Sequence, residues 1–187
     1  MLRRLKSEVL DELPELIEEK MYIDMHPLQQ KEYTEAYNQR LTIDKNDSSQ
    51  LLSLITNLKK ICNFSSTHNV SAKVDVLEDL IENVLLKNEK IIIFSQYVKT
   101  LEYIKEKISY TSSLYHGGLS SDEKDKVISD FKNNDENNIL LMSLMAGGVG
   151  LNLQEASTVV LFDRWWNPAI ESQAVARAHR MGRTEPV

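Results

Sequence analysis

From residue 90 onward, short apolar runs without alternation occupy 91–94, 113–115, 139–142 and 158–162, and helix-period stretches fill about 97–109, 120–132 and 168–180. A run that is apolar at successive positions buries both of its faces, and strands alternating with helices require parallel pairing with crossovers. The second half therefore predicts an α/β fold: a parallel sheet covered by helices on both faces. Ser120 followed by Glu123 has the spacing of a capping box for the middle helix.

The first half predicts mostly helix. Leu5, Val9 and Leu13 mark a short helix ended by Pro14, with Arg3, Arg4 and Lys6 crowded at its start. Ile17, Met21, Ile23 and Met25 alternate with Glu18, Lys20, Tyr22 and Asp24, which predicts a half-buried strand over 17–26 at a sheet edge; Glu19 breaks the pattern. His26 and Pro27 begin a helix to about Leu41, with Leu28, Tyr33, Ala36, Tyr37 and Leu41 as its packed face. A polar loop spans 42–50, a helix 51–62, a polar connector 63–71, and a strongly periodic helix 72–86 that feeds the first central strand.

Composition narrows the possible functions. With 42% hydrophobic and 27% charged residues, the 187-residue chain has the balance of a globular protein rather than a disordered one. A formal net charge of -6 rules out a uniformly basic nucleic-acid glove, so any DNA contact must be a local track. Cys62 is the only cysteine, so neither an internal disulfide nor a cysteine-cluster zinc site can form, and it reads as a packed core residue rather than a nucleophile. His26, His68, His116 and His179 have no metal-ligand spacing, and no metal site is expected. No apolar stretch approaches the ~20 residues of a membrane span, and the start lacks a signal-peptide core, so a cytoplasmic protein without membrane partners is expected.

In an open parallel sheet, ligands bind beyond the carboxyl ends of the strands. Those ends carry Ser95 and Gln96, residues 116–118, residues 143–150 and residues 163–167. Residues 146–152 (AGGVGLN) place three glycines in four positions after a strand, where backbone amides can approach ribose or phosphate oxygens. Asn167 followed by Pro168 is a helix start, and on a helix over 168–180 Gln173, Arg177 and Arg180 fall at i, i+4 and i+7, nearly in one line. Ala174, Val175, Ala176 and Ala178 between them allow close packing while the guanidinium groups reach a polyanion such as phosphate. The alternative is a solvated helix face paired to local carboxylates such as Glu171.

MAGGVGLNLQEASTVVLFDRWWNP followed by QAVARAHRMG resembles motifs V and VI of the Swi/Snf family of double-stranded-DNA translocases, within helicase superfamily two. FSQYVKTLEYI is similar to motif IV, YHGGLSSDEKDKVISDF to the segment after it, LKKICNFS to the helical protrusion of the second lobe, and LRRLKSEVLDELPE to the segment joining the lobes. The resemblance covers nearly the whole chain, and both ends fall inside recognisable pattern, as in a piece of a longer protein. HRMGRT also resembles motif VI of DEAD-box RNA helicases, but that register puts Pro186 where an arginine is needed. The Gln173 register satisfies both positions.

The resemblance implies a RecA-like second motor lobe: an inter-lobe linker helix at 1–16, an edge strand at 17–26, a helical protrusion and lead-in helix at 27–88, and the lobe proper at 89–187. It makes Arg177 and Arg180 arginine fingers oriented by Gln173, puts Gly148, Gly150 and Asn152 near the nucleotide, and assigns a DNA-strand grip to Ser95, Gln96, Gly117, Gly118 and Ser143. Helix capping and turn chemistry are the alternative roles for those grip residues, and Asn152 can instead bond its own turn. Met145 stands where the family usually has a basic residue and Arg183 where it has glutamine. Asp163 is a candidate to hold an arginine, and Trp165 and Trp166 are either lobe-interface anchors or ordinary packing.

No G-x-x-x-x-G-K-[ST] loop and no acidic magnesium box occur in the chain, so ATP and its Mg²⁺ would be held mainly by a first RecA-like lobe, and this lobe alone should not hydrolyse ATP. Implied partners are that lobe, double-stranded DNA and a DNA-bound protein complex. The setting would be nucleoid-associated in a bacterium and nuclear in a eukaryote. A strand-separating or RNA-directed helicase lobe, and a non-catalytic α/β interaction module, are the competing readings.

Overall fold

A computed structural model describes residues 14–43, 47–146, 151–180 and 186–187. The expected helix at 3–13, Gly148, Gly150 and Arg183 lie outside the described residues. Four strands, β1 (Lys90–Ser95), β2 (Ser113–Tyr115), β3 (Ile139–Ser143) and β4 (Ala156–Leu161), form one parallel sheet in the order β2-β3-β1-β4. Among the described residues six α-helices accompany them: α1 (Pro27–Asn38), α2 (Ser48–Asn63), α3 (Ala72–Leu85), α4 (Val98–Lys107), α5 (Ser121–Asn133) and α6 (Pro168–Val175).

Alternate residues of β1 feed two separate cores. Ile91 and Ile93, with Ile139 and Leu141 of β3, pack against Val74, Leu77, Ile81 and Val84 of α3 and Leu101 and Ile104 of α4. Ile92 and Phe94, with Leu140 and Met142, face Phe131 of α5 together with Ala174 and Ala178. The four residues 91–94 are fully buried, as a strand covered on both sides requires. Each such isoleucine contributes about 1.5–3 kcal/mol through burial. The parallel, doubly covered sheet thus follows the expectation from the non-alternating runs.

Local chemistry sets the helix starts. Ser120 and Glu123 form the expected capping box at α5. Ser71 accepts the Val74 amide at the start of α3, and Asn167 with Pro168 opens α6. Asp47 accepts the amides of Ser49 and Gln50, so α2 begins at Ser48, inside the stretch expected as loop.

Two expectations in the first half are corrected. Residues 14–26 form no strand, and the sheet has no member from this region. Their alternation belongs to a segment held at a few points: Ile17 N–H donates to Val187 O and Val187 N–H to Glu15 O, while Ile17 is 66% and Met21 57% exposed. Helix α1 forms as expected, but of the proposed packed face only Ala36 is buried, and Leu28, Tyr37 and Leu41 are exposed. A polar side chain anchors it instead. Buried Gln29 donates to Ile61 O at 2.6 Å and accepts from the Ala72 amide at 3.4 Å, tying α1 to both α2 and α3.

Candidate functional site

Parallel pairing brings the carboxyl ends of all four strands level. Ser95 lies beside Ser143, Tyr115 beside Met142 and Phe94 beside Leu161. The residues that follow these strands therefore share one edge, as the sequence predicts.

At that edge Asp163 is a buried hub. Its carboxylate accepts the Ser95 hydroxyl, the Asn63 side-chain amide at 2.9 Å and the Gln96 backbone N–H at 3.0 Å. The expectation that Asp163 holds an arginine is thus corrected: it binds the loop after β1 to the end of β4. The signal missed in the sequence is Asn63, which comes from the helical insertion and also donates to Thr100 at 3.2 Å. Lys73 completes the cluster by donating to Asn63 Oδ1 at 3.1 Å and Phe162 O at 3.0 Å. Burial pushes the Lys73 ammonium below the usual lysine range, and the charge of Asp163 opposes that shift.

The five proposed grip residues divide by exposure. Ser95 is fully buried with its hydroxyl committed to Asp163, and Ser143 is 6% exposed. Both therefore lie on the inner side of this edge, and the Ser95 hydroxyl is already engaged. Gln96 is half-buried and donates through Nε2 to Arg164 O at 3.2 Å. Gly117 and Gly118 are exposed, and a Cβ on Gly118 would meet the His116 ring at 3.0 Å, which keeps that turn tight. Met145, where the family resemblance expects a cation, is 64% exposed.

The arginine segment departs from the expected geometry. Helix α6 ends at Val175, not at Arg180, and the chain continues in tight turns in which Arg177 N–H donates to Ala174 O and Ala178 N–H to Val175 O. The Arg177 carbonyl is taken by Leu153 N–H at 3.0 Å, which fixes the turn. Gln173, Arg177 and Arg180 therefore do not form one helical line. Small residues do allow close packing, since Ala174 and Ala178 are buried in the second core.

Arg177 is half-buried, its Nη1 3.7 Å from Met142 Sδ and its guanidinium 5.8 Å from the Phe94 ring centroid. Burial lowers its pKa, with Tyr115 acting the other way, yet a guanidinium stays protonated at physiological pH. Arg180 and Gln173 are exposed. Glu171, the carboxylate that the alternative reading pairs with this face, is buried, pairs with Arg164 at 3.0 Å and accepts the Trp165 N–H at 2.6 Å. Asn152 is exposed and donates to Gln154 Oε1 at 3.1 Å, so it bonds within its own turn. Trp165 packs on the second core, whereas Trp166 is 64% exposed beneath the Lys59 ammonium at 4.5 Å.

A pocket of about 220 Å³ lies on the insertion side, lined by Ile23, Asp24, Met25, Gln29, Cys62, Ala72 and Lys73. Burial pushes the Cys62 thiol up, away from nucleophilic character. Among the described residues no group of three or more His, Cys, Asp or Glu side chains could hold a metal ion. No helix among the described residues is long and apolar enough to cross a membrane.

Comparison with known proteins supplies the context for this edge. Residues 72–182, more than half of the chain, match the helicase conserved C-terminal domain, and residues 1–67 match the SNF2-related domain. A Mycoplasma pneumoniae protein named as an uncharacterized ATP-dependent helicase is 35% identical over 198 residues, covering 100% of this chain and 19% of that protein. The Sulfolobus solfataricus SWI2/SNF2 ATPase core in complex with dsDNA superimposes with a TM-score of 0.77 at 30% identity, covering 100% of this chain and 43% of that one. The C-terminal domain of the same ATPase gives a TM-score of 0.71 at 30% identity over 84% of this chain and 76% of that one. The chain spans about a fifth of the length of the curated relatives it matches.

Proposed function

Because the chain belongs to the SNF2-related helicases, with the RecA-like fold of their C-terminal domain, we propose that it is the second motor lobe of an ATP-dependent double-stranded-DNA translocase. The observation that carries this reading is the position of Arg177. Its guanidinium rests on Phe94 and Met142, the residues just before Ser95 and Ser143, so the arginine segment lies at the same edge as the loops after β1 and β3.

The chain lacks both a phosphate-cradling loop and an acidic magnesium box, so the triphosphate and its magnesium fall to a first lobe, which the SNF2-related match at 1–67 also favours. On closure of the two lobes, exposed Arg180 and apolar-backed Arg177 meet the charge that builds on the γ-phosphate, with Gln173 orienting them. Arginine fingers elsewhere supply about 10³ to 10⁵ in rate. Gly148, Gly150 and Asn152 border the nucleotide. Gln96, Gly117 and Gly118 hold the backbone of one DNA strand, and Ser95 and Ser143 fix the loops that present them. Such contacts grip without reading sequence, and reopening steps the grip along the strand.

The division proposed is a linker at 1–16, a segment at 17–26, the helical insertion and lead-in helix at 27–88, and the lobe at 89–187. The motor works where the DNA is, in the bacterial cytoplasm or the eukaryotic nucleus, on naked duplex or a DNA-bound protein complex. The test joins the chain to its first lobe and measures ATPase against duplex length alongside strand release. A translocase gives ATPase that rises with duplex length and no strand release; strand release, or stimulation by RNA in preference to duplex DNA, contradicts it.

A further inference from the structure

The loop at 162–167 links β4 to the arginine segment, and the helical insertion holds it from outside the sheet. Lys73 takes Phe162 O, Asn63 takes the Asp163 carboxylate, and Lys59 Nζ donates to Arg164 O at 2.7 Å. Lys59 is the outermost of the three. It also lies 4.5 Å from the centroid of the Trp166 ring, and the carbonyl it binds is shared with Gln96 Nε2. One ammonium group on α2 thus fixes both the loop after β4 and, through the shared carbonyl, the side chain after β1.

We propose that Lys59 is a positioning residue for the DNA grip: it sets the loop at 162–167 so that Gln96 and the exposed Trp166 face are held ready for the duplex backbone. This rests on the translocase reading above. The ammonium acts through the loop, because one hydrogen bond and the aromatic face already orient it, and a cation over an indole is a favourable, direction-fixing contact. The helical insertion is then part of the grip's geometry as well as a cover for the sheet.

The test uses the full two-lobed protein carrying Lys59→Met or Lys59→Arg. In K59M the duplex concentration for half-maximal ATPase stimulation rises about five- to tenfold, more than turnover falls, and K59R restores most of it, since arginine also donates and stacks. Hydrogen exchange across 162–167 quickens in K59M while β1 and β3 stay protected. The slope of log affinity against log salt stays that of the parent, whereas loss of a direct phosphate contact lowers it by about 0.9. Unchanged half-saturation, unchanged loop exchange or the lowered slope would each overturn the proposal. An unsubstituted protein with no duplex-stimulated ATPase would instead defeat the translocase reading.

Discussion

Asp163 and Ser95 close the ends of neighbouring parallel strands, and the buried carboxylate of the first accepts the hydroxyl of the second. Truncating Asp163 to Ala removes an acceptor from three donors at once: the Ser95 hydroxyl, the Asn63 amide and the Gln96 N–H. Leaving buried polar groups unpaired costs about 2–4 kcal/mol here, or about 5–12 °C in melting temperature for a chain of this size. Ser95→Ala, which removes one donor and leaves the carboxylate with others, costs about 1 kcal/mol. Thermal denaturation of the two variants checks the order; equal and negligible losses contradict the hub.

Ser95→Ala also separates two roles. Because its hydroxyl points inward, the variant keeps the parent's salt dependence of duplex binding, whereas loss of a phosphate contact lowers the slope by about 0.9. Binding titrations over a range of salt decide between them.

Cys62 tests the insertion-side pocket. A thiol raised above its ordinary value is less ionised near pH 8, so labelling by a disulfide reagent runs more slowly than with a free thiol and accelerates on denaturation. The stability contribution has a defined sign: the folded state keeps its proton above the ordinary thiol value, so this contribution is present below that value and is lost as pH rises through the folded one. Rapid labelling of the folded protein contradicts this account.

The α5 cap gives the opposite sign. Hydrogen bonds from the Ser120 backbone and hydroxyl hold Glu123 below the usual carboxylate range. Its stabilising effect is present above that range and fades as pH falls through the depressed value. Ser120→Ala lowers the melting temperature by about 2–4 °C at neutral pH, and the difference from the parent shrinks on acidification. A difference that grows with acid contradicts the cap.

Which features were legible in the sequence follows from the range of the forces behind them. The runs at 91–94 and 139–142 announced a doubly covered parallel sheet because burial on both faces leaves no polar position to alternate. Caps at Ser120 and Asn167 were legible because they act over three residues. What escaped depends on distant partners: Asn63 lies 100 residues from Asp163, and Lys59 lies 105 from Arg164. The alternation at 17–26 was real, but a strand needs a run of paired neighbours, and among the described residues the backbone bonds tying 14–26 to distant parts of the chain are those of Glu15 and Ile17 to Val187. Helix α6 stops at Val175 although its residues have good helix propensity, and beyond its end the Arg177 carbonyl is taken by Leu153 N–H, a tertiary bond that local spacing does not encode.

The central claim assigns Arg180 and Arg177 to the γ-phosphate of ATP held by another lobe. It is tested most directly by duplex-stimulated ATPase of the two-lobed protein with Arg180→Ala, an exposed position whose loss leaves the fold intact. The account predicts a fall in turnover of about 10³ or more with duplex binding and melting temperature retained. Turnover equal to that of the unsubstituted protein would contradict it.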